Sequence, residues 1–278
     1  MIHRYCGDRS DAPDHRTAVQ DLCALARTWG WEAEAREVVE PVLGCDGLEP
    51  AITREILSVV ALGAARAGDR AASAAAYERF LRALRLRNPN EATDLAQSLS
   101  LVWQLRGDRD AATAVYEQLS TAFFLNPEVR DFAAARSKRL TLVGQPLPNL
   151  SVNDLADREV VPSDFTGKVV LLDFWATNCR PCLEELPRLR QIYRDCQPHG
   201  LQIVGLSFDD DRATLEQFLM QEPLPWRLAL GRKPAEETFH VQLIPCLMLV
   251  DRQGRIAAAD VRPFDLRRTV EALLDRQP

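Results

Sequence analysis

A chain of 278 residues with 46% hydrophobic and 27% charged side chains is longer than one typical domain and has the composition of a soluble globular protein, so two domains are expected. The formal net charge of -6, with no cluster of excess cations, excludes the surface that a nucleic acid or an anionic membrane would need. Seven scattered cysteines, Cys6, Cys23, Cys45, Cys179, Cys182, Cys196 and Cys246, do not form the framework of a small disulfide scaffold.

The opening stretch, MIHRYCGDRSDAPDH, is charged throughout and has no apolar run, so it is neither a signal peptide nor an anchor. No later stretch is long and apolar enough to be an integral membrane segment. On this ground the chain is expected in the cytoplasm, with the periplasm or cell envelope as the alternative for a chain shortened at its N-terminus. From about Thr17 to Leu142 the residues are helix formers, rich in Ala, Leu, Glu and Arg. Within this half GDRAASAAAYERFLRAL, from Gly68, returns as GDRDAATAVYEQLSTAF, from Gly107. Tyr77-Glu78 falls on Tyr116-Glu117, Phe80 on Leu119 and Leu84 on Phe123. Gly-Asp supplies a turn and then an N-cap. Tyr77, Phe80, Leu81 and Leu84 make one apolar stripe, and Asn88-Pro89 and Asn126-Pro127 are read as helix stops. A helix pair of this kind needs a neighbour to cover its stripe. A weaker copy is read at ALARTWGWEAEAREVVEPVLG. This half resembles tetratricopeptide-type helical repeats, with a longer period; a plain helical bundle is the alternative. The expected domain is residues 1–140, all-α.

LVGQPLPNLSVND, with two prolines and a glycine, marks the boundary, and residues 141–278 are expected to form an α/β domain. KVVLLDFWA and LQIVGLSFDD read as buried strands, CLEELPRLRQIYRDC and RATLEQFLMQ as helices, and WRLAL as a short strand. CLMLVDRQGRIAAADV reads as a hairpin around Arg252-Gln253-Gly254, and PFDLRRTVEALLDR as a closing helix. The alternation predicts a central sheet flanked by helices.

Cys179 and Cys182 are spaced C-x-x-C where the first of these strands gives way to a helix. A sulfur there lies near the free N–H groups and positive end of the helix, which favours the thiolate. Pro181 fits the first turn, where its missing N–H costs nothing, and Arg180 adds a positive charge between the sulfurs. Cys182, one turn inside, is the poorer first nucleophile. The spacing therefore fits an attacking and a resolving thiol. Three other readings stay open: a zinc site, a structural disulfide, and a pair with no chemistry. Zinc wants four ligands, and His3, His15, His199 and His240 have no such spacing, so no metal is expected. A bridge between residues three apart closes too small a loop to stabilise much.

From about Gly144 to Leu274 the sequence resembles the thioredoxin fold, and more closely the TlpA/ResA-type thiol-disulfide oxidoreductases. DFWATNCRPC, CLEELP, QLIPCLMLVDRQGRI and GQPLPNLSVNDLADREVVPSDFTGKVV carry the resemblance, in the family's order. The resemblance implies a redox-active Cys179–Cys182 disulfide. It implies that Asp173, an acid in an apolar run, accepts and returns the proton of Cys182, with Glu185 the second candidate for that role. It implies a cis Pro245 beside the sulfurs, leaving the backbone of Ile244 to pair with an extended substrate. Trp175, Asn178, Arg180, Pro181 and Ile244 are the expected substrate contacts. Asn178 stands where relatives usually have tryptophan, and Cys246 where they often have threonine. The expected function is thiol-disulfide exchange with protein partners, without a bound cofactor. A reducing or oxidising partner would complete the cycle, and the helical domain would recognise partners. The alternatives are a non-catalytic scaffold on the same fold and a thiol peroxidase, the latter from a partial likeness of TNC to a peroxidatic motif.

Overall fold

The computed structural model describes residues 12–45, 47–84 and 88–276; the opening segment with His3 and Cys6 lies outside them. The chain divides into two compact units, one up to Ala133 and one from Ala134 onward.

The first unit is helical: α1 (Ala12–Trp29), α2 (Glu32–Val39), α3 (Pro50–Ala67), α4 (Arg70–Leu84), α5 (Pro89–Leu105), α6 (Arg109–Ala122) and the first half of α7 (Pro127–Leu140). In α3 every residue from Ile56 to Ala65 is buried, so this apolar-all-round helix is the centre of the unit. Gly63 lets α2 approach it closely: a Cβ there would lie 2.3 Å from the Glu32 carbonyl oxygen. The repeated stripe is the core, since Tyr77, Phe80, Leu84, Tyr116, Leu119 and Phe123 are all buried.

Both Gly-Asp corners have one construction. Gly68 and Gly107 take the left-handed conformation (φ 84° and 74°) that closes a helix C-terminus, and Asp69 and Asp108 then cap the next helix through the amides of Ala72 and Ala111. The two corners also hold each other. Arg70 pairs with Asp108, and Arg106 donates to the Arg66 carbonyl at 2.7 Å. The Asn-Pro pairs act otherwise than expected. Pro89 and Pro127 are the first residues of α5 and α7, where a missing N–H is harmless, so they start helices rather than end them.

The second unit holds a five-stranded sheet in the order β3-β2-β1-β4-β5. Its strands are β1 (Val169–Trp175), β2 (Leu201–Ser207), β3 (Arg227–Leu230), β4 (Cys246–Val250) and β5 (Ile256–Ala258). β1 is parallel to β2 and β2 to β3, while β4 runs antiparallel to both β1 and β5. Helices α8 (Arg180–Cys196), α9 (Arg212–Gln221), α10 (Arg232–Glu237) and α11 (Pro263–Asp275) flank it, giving the thioredoxin arrangement. β1 is central and every residue in it is buried, so its run of Val and Leu follows from a strand covered on both faces. Residues 144–155 run along both sheet edges. Pro146 bridges Arg255 beside β5, and Asp154 bridges Ala229 on β3. Asp154 is further tied to Arg158 and Arg227, which holds its carboxyl down at about 2.

Candidate active site

The C-terminal end of β1 delivers Ala176–Asn178 to the head of α8. Cys179 is the N-cap of that helix, its sulfur accepting the Cys182 N–H at 3.3 Å. The two cysteines form a disulfide. Cys179 is half-buried at the surface, whereas Cys182 is 3% exposed. The strand-to-helix turn is braced by Asp209 at the end of β2. Its carboxylate accepts the Thr177 N–H at 3.2 Å and the Thr177 hydroxyl at 2.6 Å, and also the Ser207 hydroxyl. Asp209 was not singled out in the sequence; the only signal was a run of three aspartates, Asp209 to Asp211, after a strand.

Asp173 lies in the middle of β1 between Gly205 of β2 and Leu247 of β4, and is 3% exposed. Burial, and then the charge of Glu185, push its carboxyl up to about 7. Glu185 is half-buried one turn beyond Cys182 on α8, near enough for its charge to act on Asp173.

The remaining expected residues separate into two groups. Asn178, Arg180 and Pro181 are exposed around the disulfide. Arg180 does not stand as a free charge between the sulfurs. Its guanidinium pairs at 3.0 Å with Glu184 one helical turn on, which spends much of its field there. Trp175, expected to touch substrate, is wholly buried, with its ring edge-on to Phe218 at 5.5 Å. It points into the core because alternate β1 side chains face the two covered sides of the sheet, so its part is packing. The Ile244–Pro245 peptide is cis, with Pro245 exposed and Ile244 half-buried. Outside the strand ladders, Gln242, Leu243 and Ile244 make no backbone hydrogen bond among the described residues, and Leu243 is 83% exposed.

Beneath this loop is a buried charged cluster that the sequence did not announce. Arg139, in the last turn of α7, holds Asp260 through Nε and Nη2 at 2.8 to 3.0 Å. Its Nη1 donates to the His240 carbonyl at 2.9 Å. The Cys246 thiol lies 3.7 Å from Asp260 Oδ1; burial, then the Asp260 charge, raise its pKa far above the ordinary thiol range. Cys23 and Cys196 are buried free thiols, Cys23 pushed up to about 12 by burial. Among the described residues no group of His, Cys, Asp and Glu is arranged to hold a metal, and no helix is long and apolar enough to cross a membrane.

Residues 143–259 match the model of the AhpC/TSA family. The thiol-disulfide oxidoreductase ResA of Bacillus thuringiensis subsp. konkukian is 32% identical over 116 residues, 41% of this chain and 66% of that protein. The ResA of Geobacillus kaustophilus is 26% identical over 140 residues, 49% of this chain and 80% of that protein. A solved thiol:disulfide interchange protein from Bacteroides sp. is 31% identical, with a TM-score of 0.44 over 48% of this chain and 90% of its own. The chain spans about two thirds of the length of the ResA proteins first matched, 66% in the Bacillus case. With the sheet order, the cis proline and the C-x-x-C helix cap in place, residues 143–259 are a thioredoxin-like domain of the AhpC/TSA family, similar to the ResA-type thiol-disulfide oxidoreductases.

Proposed function

We propose that this chain exchanges disulfides with protein thiols through Cys179 and Cys182. The observation that carries the reading is a disulfide capping a helix, with one sulfur half-buried at the surface and the other buried, at the end of a strand that carries the buried acid Asp173. In the reducing direction the Cys179 thiolate attacks a client disulfide. One client sulfur leaves as a thiolate and takes up a proton, and a mixed disulfide remains. Asp173, ionised, takes the proton of Cys182. The Cys182 thiolate then attacks Cys179, closes the Cys179–Cys182 bond and releases the second client thiol. Two electrons pass from the cysteine pair to the client, and a partner dithiol restores them. In the oxidising direction each step reverses. Glu185, close enough to raise the Asp173 pKa, helps set when that proton moves. The backbone of Ile244, which makes no backbone hydrogen bond outside the ladders among the described residues, with the exposed Leu243 beside it, fits an extended client strand. No bound cofactor takes part. The helical unit is proposed to select the partner protein, and residues 141–278 to carry the chemistry. The cytoplasm is the proposed compartment, with the cell envelope as its alternative, and fractionation of intact cells decides between them.

The test is reduction of insulin disulfides with dithiothreitol as electron source. Wild type should accelerate it and Cys179→Ser should fall to the uncatalysed rate. Equal rates for the two proteins would reject the reading in favour of a scaffold, and faster turnover of hydrogen peroxide than of insulin would favour the peroxidase.

A further inference from the structure

We propose that Arg139 is a positioning residue that clamps both ends of the loop carrying Ile244 and Pro245. The proposal rests on the functional reading above, since it concerns how that loop is held ready for a client strand. The loop follows α10, turns at His240 and enters β4 at Cys246. Between them Gln242, Leu243 and Ile244 have no backbone hydrogen bond of their own outside the ladders among the described residues. Hydrogen bonds that hold it are therefore found at its ends. Arg139 reaches both. One guanidinium nitrogen holds the His240 carbonyl, and the other two hold Asp260, whose carboxylate lies against the Cys246 thiol. His240 and Asp260 both adopt left-handed backbone (φ 55° and 57°), so each is a sharp corner whose polar group is turned toward the same cation. Side chains of Arg139 and Asp260 are only 7% and 6% exposed. A buried ion pair adds little net stability over an apolar pair of the same volume, so stability alone does not account for it. A planar five-donor fork serves three acceptors in two directions, which an ammonium group cannot do from the same place.

Two variants test the clamp in the full chain. Arg139→Lys keeps the charge opposite Asp260 but gives up the fork. Arg139→Gln with Asp260→Asn removes both buried charges together and leaves asparagine, which tolerates the left-handed corner. Two amides report on the corners: Val241 N–H, which donates to Ala235 from the same peptide group whose carbonyl Arg139 holds, and Val261 N–H, which donates to Leu247. In both variants these amides should exchange about tenfold faster, while Leu171 in β1 keeps its rate. With insulin as substrate, KM should rise about tenfold at unchanged kcat, because a loop that holds the client acts equally on the bound state and the transition state. Folded variants with wild-type exchange at Val241 and Val261 would overturn the clamp, and so would a wild-type KM with a lowered kcat. A wild type inactive on insulin would remove the functional reading instead, and the exchange rates would then decide the clamp by themselves.

Discussion

Cys179 and Cys182 differ in access, and in the proposed exchange that difference sets their order. The half-buried N-cap sulfur meets the client, and the sulfur one turn in resolves. Asp173 carries the pH dependence. As its carboxyl titrates near 7, release of product from the mixed disulfide should speed up from acid toward alkaline pH in wild type. Asp173→Asn should abolish that rise and accumulate mixed disulfide, read by trapping with a labelled client. The same carboxyl bears on stability. Below about pH 4 folded and unfolded chains both hold the proton, and nothing is lost. As pH rises toward 7 the unfolded chain releases it first, so burial of Asp173 increasingly destabilises the fold. Asp173→Asn should therefore be more stable than wild type at about pH 8, by on the order of 4 kcal/mol, and the gap should close near about pH 4 in denaturant titrations. Asp173 was readable because an acid in the run VVLLDFW needs a reason. Arg139 and Asp260 were not, because they are 121 positions apart and each is ordinary among its neighbours.

Elements were legible wherever periodicity and punctuation agreed. RATLEQFLMQ is α9 residue for residue, and the hairpin at Arg252-Gln253-Gly254 forms with Asp251 accepting the amides of Gln253 and Arg255. The short α10 was missed, since six residues with one buried alanine carry too little pattern. The Asn-Pro pairs were assigned to the wrong end of a helix, because proline terminates one segment and begins another by the same restriction on its predecessor. β2 contains a glycine that no pattern explained. At Gly205 an added Cβ would meet Leu228 at 2.5 Å and the Trp175 indole nitrogen at 3.1 Å, so the missing side chain is the space that lets Trp175 lie inside. Gly205→Ala should cost roughly 1–3 kcal/mol through overpacking, read as a lower melting temperature with altered tryptophan fluorescence.

For the whole molecule, the division between units falls inside α7, ahead of the proline- and glycine-bearing stretch that marked the boundary in the sequence. Composition announces a linker, but it does not show that the final turn of the preceding helix supplies a buried cation to the sheet domain. A protein beginning at Ala134 should consequently melt higher than one beginning at Val143, where the family resemblance starts. The shorter one leaves Asp260 buried without Arg139, a loss of roughly 3–5 kcal/mol, and a thermal melt of the two compares them directly. The strap formed by residues 144–155 has a different consequence. By occupying the hydrogen-bonding rims beside β3 and β5, it denies other chains the template on which fibrous stacking begins. A protease nick in that strap would thus do more than loosen a loop: it would bare both rims and leave the molecule inclined to stick to its own kind.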